Sequence, residues 1–424
     1  MANTKSNRRE IFVYSDWEIF PEPALMGTLY AEVVRGKEIF SFEYSKRWLE
    51  SGFAQILDPD LSLDAHLQYL ADEKPNFGVF LDSSPDRWGR LLMKRREAAY
   101  SRLENRAEKH LYETDFLLGV YDEYRMGALR FKINKSGNFQ NDDKKLAAPP
   151  WTSLRTLEEI SMKLEDENAV DDPDYLKWLN MLLQPGSSLG GARPKASVMD
   201  ENGHLWIAKF PSKADSIDIG GWEILANKLA IMSGINVATA HNQKFSGTHH
   251  TFLTKRFDRL DTGRRIHFAS AMTLLGYSDG EDFRNGISYL DMAEFISQHG
   301  ADVKADLEEL WRRIVFSIAI SNTDDHLRNH GFLLTPKGWQ LSPAYDINPV
   351  PNSTGLKLNI SENENSLDMS LAIKVKDFFR ISDAKANEII NRINDSVGQW
   401  KKIADNLKLP KNEQEIMKSA FNNR

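Results

Sequence analysis

The sequence predicts an α+β protein in which a β-rich N-terminal subdomain precedes a small β-rich lobe and a larger helical lobe. Three observations predict it. Phe40, Phe42 and Tyr44 alternate along one strand-like run, the period-two signature of a half-buried strand. Two short apolar runs, 196–199 and 204–210, flank the turn sequence Asp200-Glu201-Asn202-Gly203, which reads as a strand pair joined by a tight turn. From about residue 286 the pattern turns helical. Within 306–320, Leu307, Leu310, Trp311, Ile314, Val315, Ile318 and Ala319 recur at helical spacing, a stripe that faces a core.

The 424 residues carry 54 Lys and Arg against 61 Asp and Glu, a net charge of −7. At about 150 residues per domain the length predicts two or three domains. The net acidity argues against a stand-alone nucleic-acid binder, which needs a basic surface to neutralise phosphates. No cysteine occurs, which excludes disulfides, thiolate metal sites, Fe–S clusters and cysteine nucleophiles and fits a reducing compartment. The polar start MANTKSNRRE runs straight into IFVY, so no secretory segment is expected. The longest apolar runs are too short to span a bilayer. A cytoplasmic protein with no membrane partner is expected.

Taken in order, residues 11–44 read as β structure, with LYAEVV and EIFSFEY joined through Arg35-Gly36-Lys37. After Ser84-Pro85-Asp86 the pattern is helical, with Ser84 as the expected N-cap and Pro85 at the first helical position. From Arg87 to Lys109 eight cations face three glutamates. This run reads as a solvated helix face with i,i+4 pairs, or as a patch that touches DNA or tRNA beside a partner. The polar, Gly- and Pro-containing stretch 135–150 reads as a linker. It divides an N-terminal subdomain (1–140) from a β-rich lobe (150–260) and a helical lobe (261–424). A helical segment runs to about Leu183, followed by a loop of small residues. A helix over 221–233 ends at Gly234, a natural C-terminal cap. One hairpin, 331–345, interrupts the helical lobe at Pro336-Lys337-Gly338.

The chemistry concentrates after the buried stripe, where Ser321-Asn322-Thr323-Asp324-Asp325-His326-Leu327-Arg328-Asn329-His330 forms a dense polar loop. Polar groups delivered by a rigid buried element are well placed for catalysis. Asp324 and Asn329 show the spacing D-x-x-x-x-N, which protein kinases use for a proton-accepting Asp and a Mg²⁺-holding Asn. Asp346 follows seventeen residues after Asn329, where a kinase places its second Mg²⁺ ligand. Upstream, Ile207 and Lys209 share a strand face and offer an apolar roof for a base and a cation for phosphates. Glu223 lies on the next helix, within reach of pairing. Taken singly, Lys209 reads equally as a snorkelling surface residue, and Glu223 as a carboxylate favoured by a helix N-terminus. The loop 187–195 contains Gly190 and Gly191, which permit close backbone approach to phosphates, and Lys195, which adds charge. It is neither a dinucleotide fingerprint nor a Walker sequence. A metal-dependent hydrolase built on Asp324, Asp325, His326 and Asp346 is a competing reading that needs neither Lys209 nor this loop.

The segments SSLGGARPKA, WIAKFP, TKRFDR, NTDDHLRNHGFLL and LSPAYDI, in this order, resemble the HipA family of bacterial serine/threonine kinase toxins. The resemblance is sharpest over 186–350 and extends to the N-terminal hairpin and SSPDRWGR. It implies a kinase-like two-lobed fold with an extra N-terminal subdomain. It also implies an enzyme that uses ATP and Mg²⁺ to phosphorylate a protein, in known cases an aminoacyl-tRNA synthetase, and so arrests translation. The implied partner is a helix-turn-helix antitoxin, through which DNA is met only indirectly. By motif, Asp324 would be the catalytic base, Asn329 and Asp346 the metal ligands, and Lys209 the phosphate-binding lysine, supported by Glu223. Phe257 would lie at the adenine hinge. Ser188, Leu189, Gly190, Gly191, Lys195, Ile207, Lys255, His326 and Arg328 complete the implied nucleotide site. Ser188 matches the serine that the family autophosphorylates, with Ser187 the competing acceptor. Asp325 stands where the family often has glycine, and Arg193-Pro194 and Lys255-Arg256 also depart from its pattern. A small-molecule kinase of similar fold, acting on an antibiotic or sugar hydroxyl, is the alternative.

Overall fold

The structure, a computed structural model, describes residues 8–70, 74–143, 150–183, 191, 193–245 and 247–421. Ser187, Ser188, Leu189 and Gly190 lie outside the described residues. The chain divides into two compact units, Met1–Ile207 with Asp258–Ala269, and Ala208–Phe257 with Ser270–Arg424.

In the first unit, β1 (Arg9–Ser15), β2 (Ala24–Val34), β3 (Lys37–Tyr44), β4 (Gln68–Tyr69) and β5 (Leu129–Lys132) form one sheet in the order β4-β3-β2-β1-β5. The expected hairpin is present: Val34 pairs with Lys37 around Arg35-Gly36, both at positive φ. Phe40, Phe42 and Tyr44 are buried, as their alternation predicts. Gly27 is required where β2 pairs with β3, because a Cβ there would strike the Glu43 carbonyl and the Phe42 ring.

The helix Arg87–Leu103 begins later than expected, and its N-cap is Asp86, whose Oδ1 accepts from the Gly89 N–H at 2.8 Å. Ser84 instead closes the preceding short helix, donating its hydroxyl to the Phe80 carbonyl at 2.8 Å. A carboxylate accepts from a helix N-terminus more strongly than a hydroxyl, because the helix dipole also favours its charge. Much of the basic run is used internally. Arg90 grips Glu113 through both oxygens at 2.6 and 2.7 Å, Arg106 pairs with Glu97 and Glu104, and Arg95 donates to the Leu164 carbonyl. The helices Leu154–Leu164 and Tyr175–Leu183 follow, then β6 (Lys195–Met199) and β7 (Leu205–Lys209), joined by the predicted turn with Gly203 N–H donating to Asp200 O at 3.1 Å. Residues 258–269 return to this unit. Asp258, fully buried, accepts from Gly127 N–H at 2.8 Å, and the Arg259 guanidinium donates to the carbonyls of Glu123, Arg125 and Gly127.

The second unit opens with the last two residues of β7. The helix Ile219–Met232 is capped by Asp218 and ends before Gly234, whose φ of +80° bears out the predicted C-terminal cap. Strands β8 (Ala240–Gln243) and β9 (Thr251–Lys255) pair antiparallel, and β10 (Phe268–Ser270) brings the chain back into the unit. The helix Val303–Ala319 buries the whole predicted stripe, each residue at most 1 % exposed. Its end leads into the polar loop. The hairpin of β11 (Gly331–Thr335) and β12 (Gly338–Leu341) follows, and helices including Asp383–Val397 complete the unit. Among the described residues no helix is long and apolar enough to cross a membrane.

Candidate active site

The second unit gathers the core of the expected constellation. Lys209, at the end of β7, is largely buried. Its ammonium donates to Glu223 Oε1 at 2.5 Å and to Asp346 Oδ1 at 2.6 Å. Glu223 is 4 % exposed at its side chain because its helix packs that face inward. Burial disfavours the charged lysine, yet the carboxylates of Asp346 and Glu223 outweigh it and hold the ammonium above its ordinary range. Neither the snorkelling reading of Lys209 nor the helix-N-terminus reading of Glu223 describes this geometry, since Glu223 lies past the first turn of its helix.

Asp346 adopts φ +57°, a left-handed conformation that costs a non-glycine residue about 1–3 kcal/mol when imposed by its surroundings. Its carboxylate also accepts from Asn348 Nδ2 at 3.1 Å. The chain entering it is pinned by Tyr345, whose hydroxyl donates to the Arg328 carbonyl at 2.7 Å. The Tyr345 ring lies 5.5 Å from that of Phe257. The structure thus brings Phe257, expected at the hinge, into contact with the segment that carries Asp346, and that segment onto the polar loop.

Within that loop Ser321 takes φ +52° and turns the chain out of the helix. Asp324 is exposed, and its carboxylate has no hydrogen-bond partner among the described residues. Its own carbonyl is clamped, accepting from His326 N–H at 3.0 Å and from Asn329 Nδ2 at 2.9 Å. That bond fixes the Asn329 amide with Oδ1 as its remaining acceptor. Asp325 points the other way and is buried. It accepts from the Tyr289 hydroxyl at 2.5 Å and lies 3.0 Å from His330 Nε2. Burial raises the pKa of Asp325, but His330 and the Tyr289 hydroxyl outweigh it and hold the carboxyl below its ordinary range. The departure from glycine at this position is therefore a structural anchor under the loop, and a hydrolase that needs Asp325 in the cleft loses a ligand.

The remaining expected residues divide. His326 Nδ1 is buried without a hydrogen-bond partner among the described residues, and Arg328 lies 3.5 Å from Asp279. Lys255 is half-buried at the end of β9, its backbone N–H donating to Thr239 O at 2.8 Å. Ile207 is 3 % exposed in the first unit. Lys195, expected to attract phosphates, lies in the first unit, where its ammonium donates to Asp86 Oδ2 at 2.8 Å with both side chains 2 % exposed. Gly191 has φ +111°, and a Cβ there would come within 3.0 Å of that ammonium.

Metal binding fits the donor set. Asp346 and Asn329 offer hard oxygens, and the Asn348 Oδ1 beside Asp346 is buried with no hydrogen-bond partner among the described residues. No group of three or more His, Cys, Asp or Glu is assembled for a metal among the described residues. Mg²⁺ is commonly held by one or two carboxylates together with substrate phosphates and waters.

Against known proteins, residues 187–400 match the model of the HipA-like C-terminal domain. The chain belongs to that family. It is 26 % identical over 344 residues to the serine/threonine-protein kinase toxin HipA of Shewanella oneidensis, covering 73 % of this chain and 70 % of that protein. It is 27 % identical over 205 residues to a putative kinase of Haemophilus influenzae, spanning 43 % of this chain and 60 % of that protein's length. The solved Shewanella oneidensis HipA, in complex with HipB and its operator DNA, superposes with a TM-score of 0.64 and 19 % identity, covering 97 % of this chain and 95 % of that one. The predicted α+β, kinase-like fold with its N-terminal β-rich part is therefore a HipA fold.

Sequence reasoning did not single out Asn348, Tyr345 or Tyr289. Asn348 sits two residues after Asp346, but no chemical pattern singles it out.

Proposed function

We propose that the chain is an ATP- and Mg²⁺-dependent serine/threonine protein kinase acting as the toxin of a toxin–antitoxin pair. The observation that carries this reading is the Lys209 ammonium held between Glu223 and Asp346 at 2.5 and 2.6 Å. The same unit presents the exposed Asp324 and the clamped Asn329. Lys209 would bind phosphates. Asp346 and Asn329 would hold Mg²⁺, which when bound neutralises phosphate charge. Asp324 would accept the proton of the acceptor hydroxyl. The names of the two related proteins support the kinase class and, for one, the toxin role.

The acceptor is a protein of the translation apparatus, an aminoacyl-tRNA synthetase being the family's known kind. The partner is a DNA-binding antitoxin, a reading supported by the HipA–HipB–operator complex of the structural relative. Autophosphorylation at Ser188, or at Ser187, would regulate the enzyme, and it rests on the sequence resemblance. Calorimetric titration of a non-hydrolysable ATP analogue with and without Mg²⁺ tests the reading. Mg²⁺-dependent binding that is lost in Lys209→Ala supports it. Absence of nucleotide binding, or binding indifferent to both, would overturn it.

A further inference from the structure

Asn348 joins two loops that the mechanism uses separately. Its Nδ2 donates to Asp346 Oδ1 at 3.1 Å, on the oxygen that Lys209 also grips. Its backbone N–H donates to Asn322 Oδ1 at 3.1 Å. Asn322 in turn donates from Nδ2 to Ser317 Oγ at 3.3 Å and from its backbone N–H to Ser317 O at 2.8 Å. Ser317 belongs to the buried helix Val303–Ala319 that delivers Asp324. A hydrogen-bonded chain thus runs from that helix through Asn322 and Asn348 to Asp346. It links the two left-handed positions, Ser321 and Asp346, that aim the loops.

The amide orientation is set by its neighbour. Reversed, Asn348 would turn its oxygen against the Asp346 carboxylate, and the two acceptors would repel. Held as it is, Asn348 leaves its Oδ1 buried with no partner among the described residues. Buried acceptors are rarely left unsatisfied, and each such case calls for a reason. A water bound to a divalent cation is a strong donor, and groups that orient the ligands of a metal tune its affinity.

We infer that Asn348 is a positioning residue for the metal site: Nδ2 fixes the Asp346 carboxylate, and Oδ1 accepts from a water on the cation that Asp346 holds. This rests on the kinase reading, because it needs a divalent cation at Asp346. The inferred role makes the Asn348 side chain matter more when the cation is present than when it is absent. Removing it deletes a hydrogen bond and an unsatisfied oxygen together, and these effects oppose each other in the metal-free protein.

The test is the melting temperature of the full chain with ADP as Mg²⁺ is titrated, which reads metal binding without turnover. In Asn348→Ala the half-saturating Mg²⁺ concentration should rise about 10-fold or more, with the metal-free melting temperature close to wild type. A lowered metal-free melting temperature with unchanged half-saturation would make Asn348 purely structural and overturn the inference. Should the alanine variant fail to fold, Asn348→Asp carries the test. A carboxylate beside Asp346 should lower the metal-free melting temperature and enlarge the Mg²⁺-induced rise, and a rise equal to wild type would overturn the inference. Wild-type protein with no Mg²⁺-dependent change would instead remove the kinase reading, and the inference with it.

Discussion

Lys209→Met is the perturbation with the largest worked consequence. It removes the cation but keeps the apolar stem, so that the buried Glu223 carboxylate, 4 % exposed at its side chain, loses the ammonium it accepts from. At the observed 2.5 and 2.6 Å, and with an effective dielectric constant of about 20, each ion pair carries roughly 6 kcal/mol of gross attraction. Desolvation of three charged groups offsets much of it. Breaking a buried pair from one side typically costs about 3–5 kcal/mol. The Lys209→Met/Glu223→Leu double variant also removes the buried Glu223 charge and should recover most of that loss, while nucleotide binding stays abolished in both variants. The assay is urea denaturation of wild type, both single variants and the double. Hydrogen exchange of the helix Ile219–Met232 assigns the loss to the second unit. A single variant within about 1 kcal/mol of wild type would refute the reasoning, since a loss that small belongs to exposed pairs. So would a double variant no more stable than Lys209→Met.

Three further outcomes are expected. Asp324→Asn should lower phosphoryl transfer by about 10²–10⁴-fold with an unchanged melting temperature, because the carboxylate is exposed. Transfer near wild type would assign the base elsewhere. Tyr289→Phe removes the hydroxyl that donates to the buried Asp325 and should cost about 1.5–3 kcal/mol in urea denaturation, as for a hydrogen bond to a charged group. A cost under about 0.5 kcal/mol would contradict the anchoring role. Burial raises the pKa of Asp58 from 3.8 to about 6, so the folded state keeps this proton to higher pH than the unfolded state does. Its contribution is present below pH 3.8 and is lost as pH rises through 6, amounting to about 3 kcal/mol. Asp58→Asn should therefore gain stability relative to wild type across that window, and a pH-independent difference between the two would contradict it.

Local patterns carried the parts of the fold that depend on local physics. The stripe from Leu307 to Ala319, the Arg35-Gly36 hairpin and the Gly234 cap each follow from spacing or backbone preference, and the structure reproduces them. The order of Lys209, Glu223, Asp324, Asn329 and Asp346 was legible because each brings a distinct chemistry at a recognisable separation. What escaped depends on residues distant in sequence. Asp86 outcompetes Ser84 as a cap, and Lys195, 109 residues away, adds a second bond to it that no local window contains. Asp325 and Asp324 are identical in type and adjacent, and only Tyr289 and His330 decide which of them is buried. Asn348 becomes informative only once two left-handed positions bring its loop against Asn322.

In the proposed mechanism, protein phosphorylation by this chain depends on Asp324. It is tested most directly by incubating the full chain with γ-labelled ATP and Mg²⁺, alone and with cell extract, beside Asp324→Asn, and mapping the labelled residues by mass spectrometry. Label is expected on serine or threonine of a protein acceptor, dependent on Mg²⁺ and missing in the variant. Equal label in the variant, or label found solely on a small molecule, would contradict it.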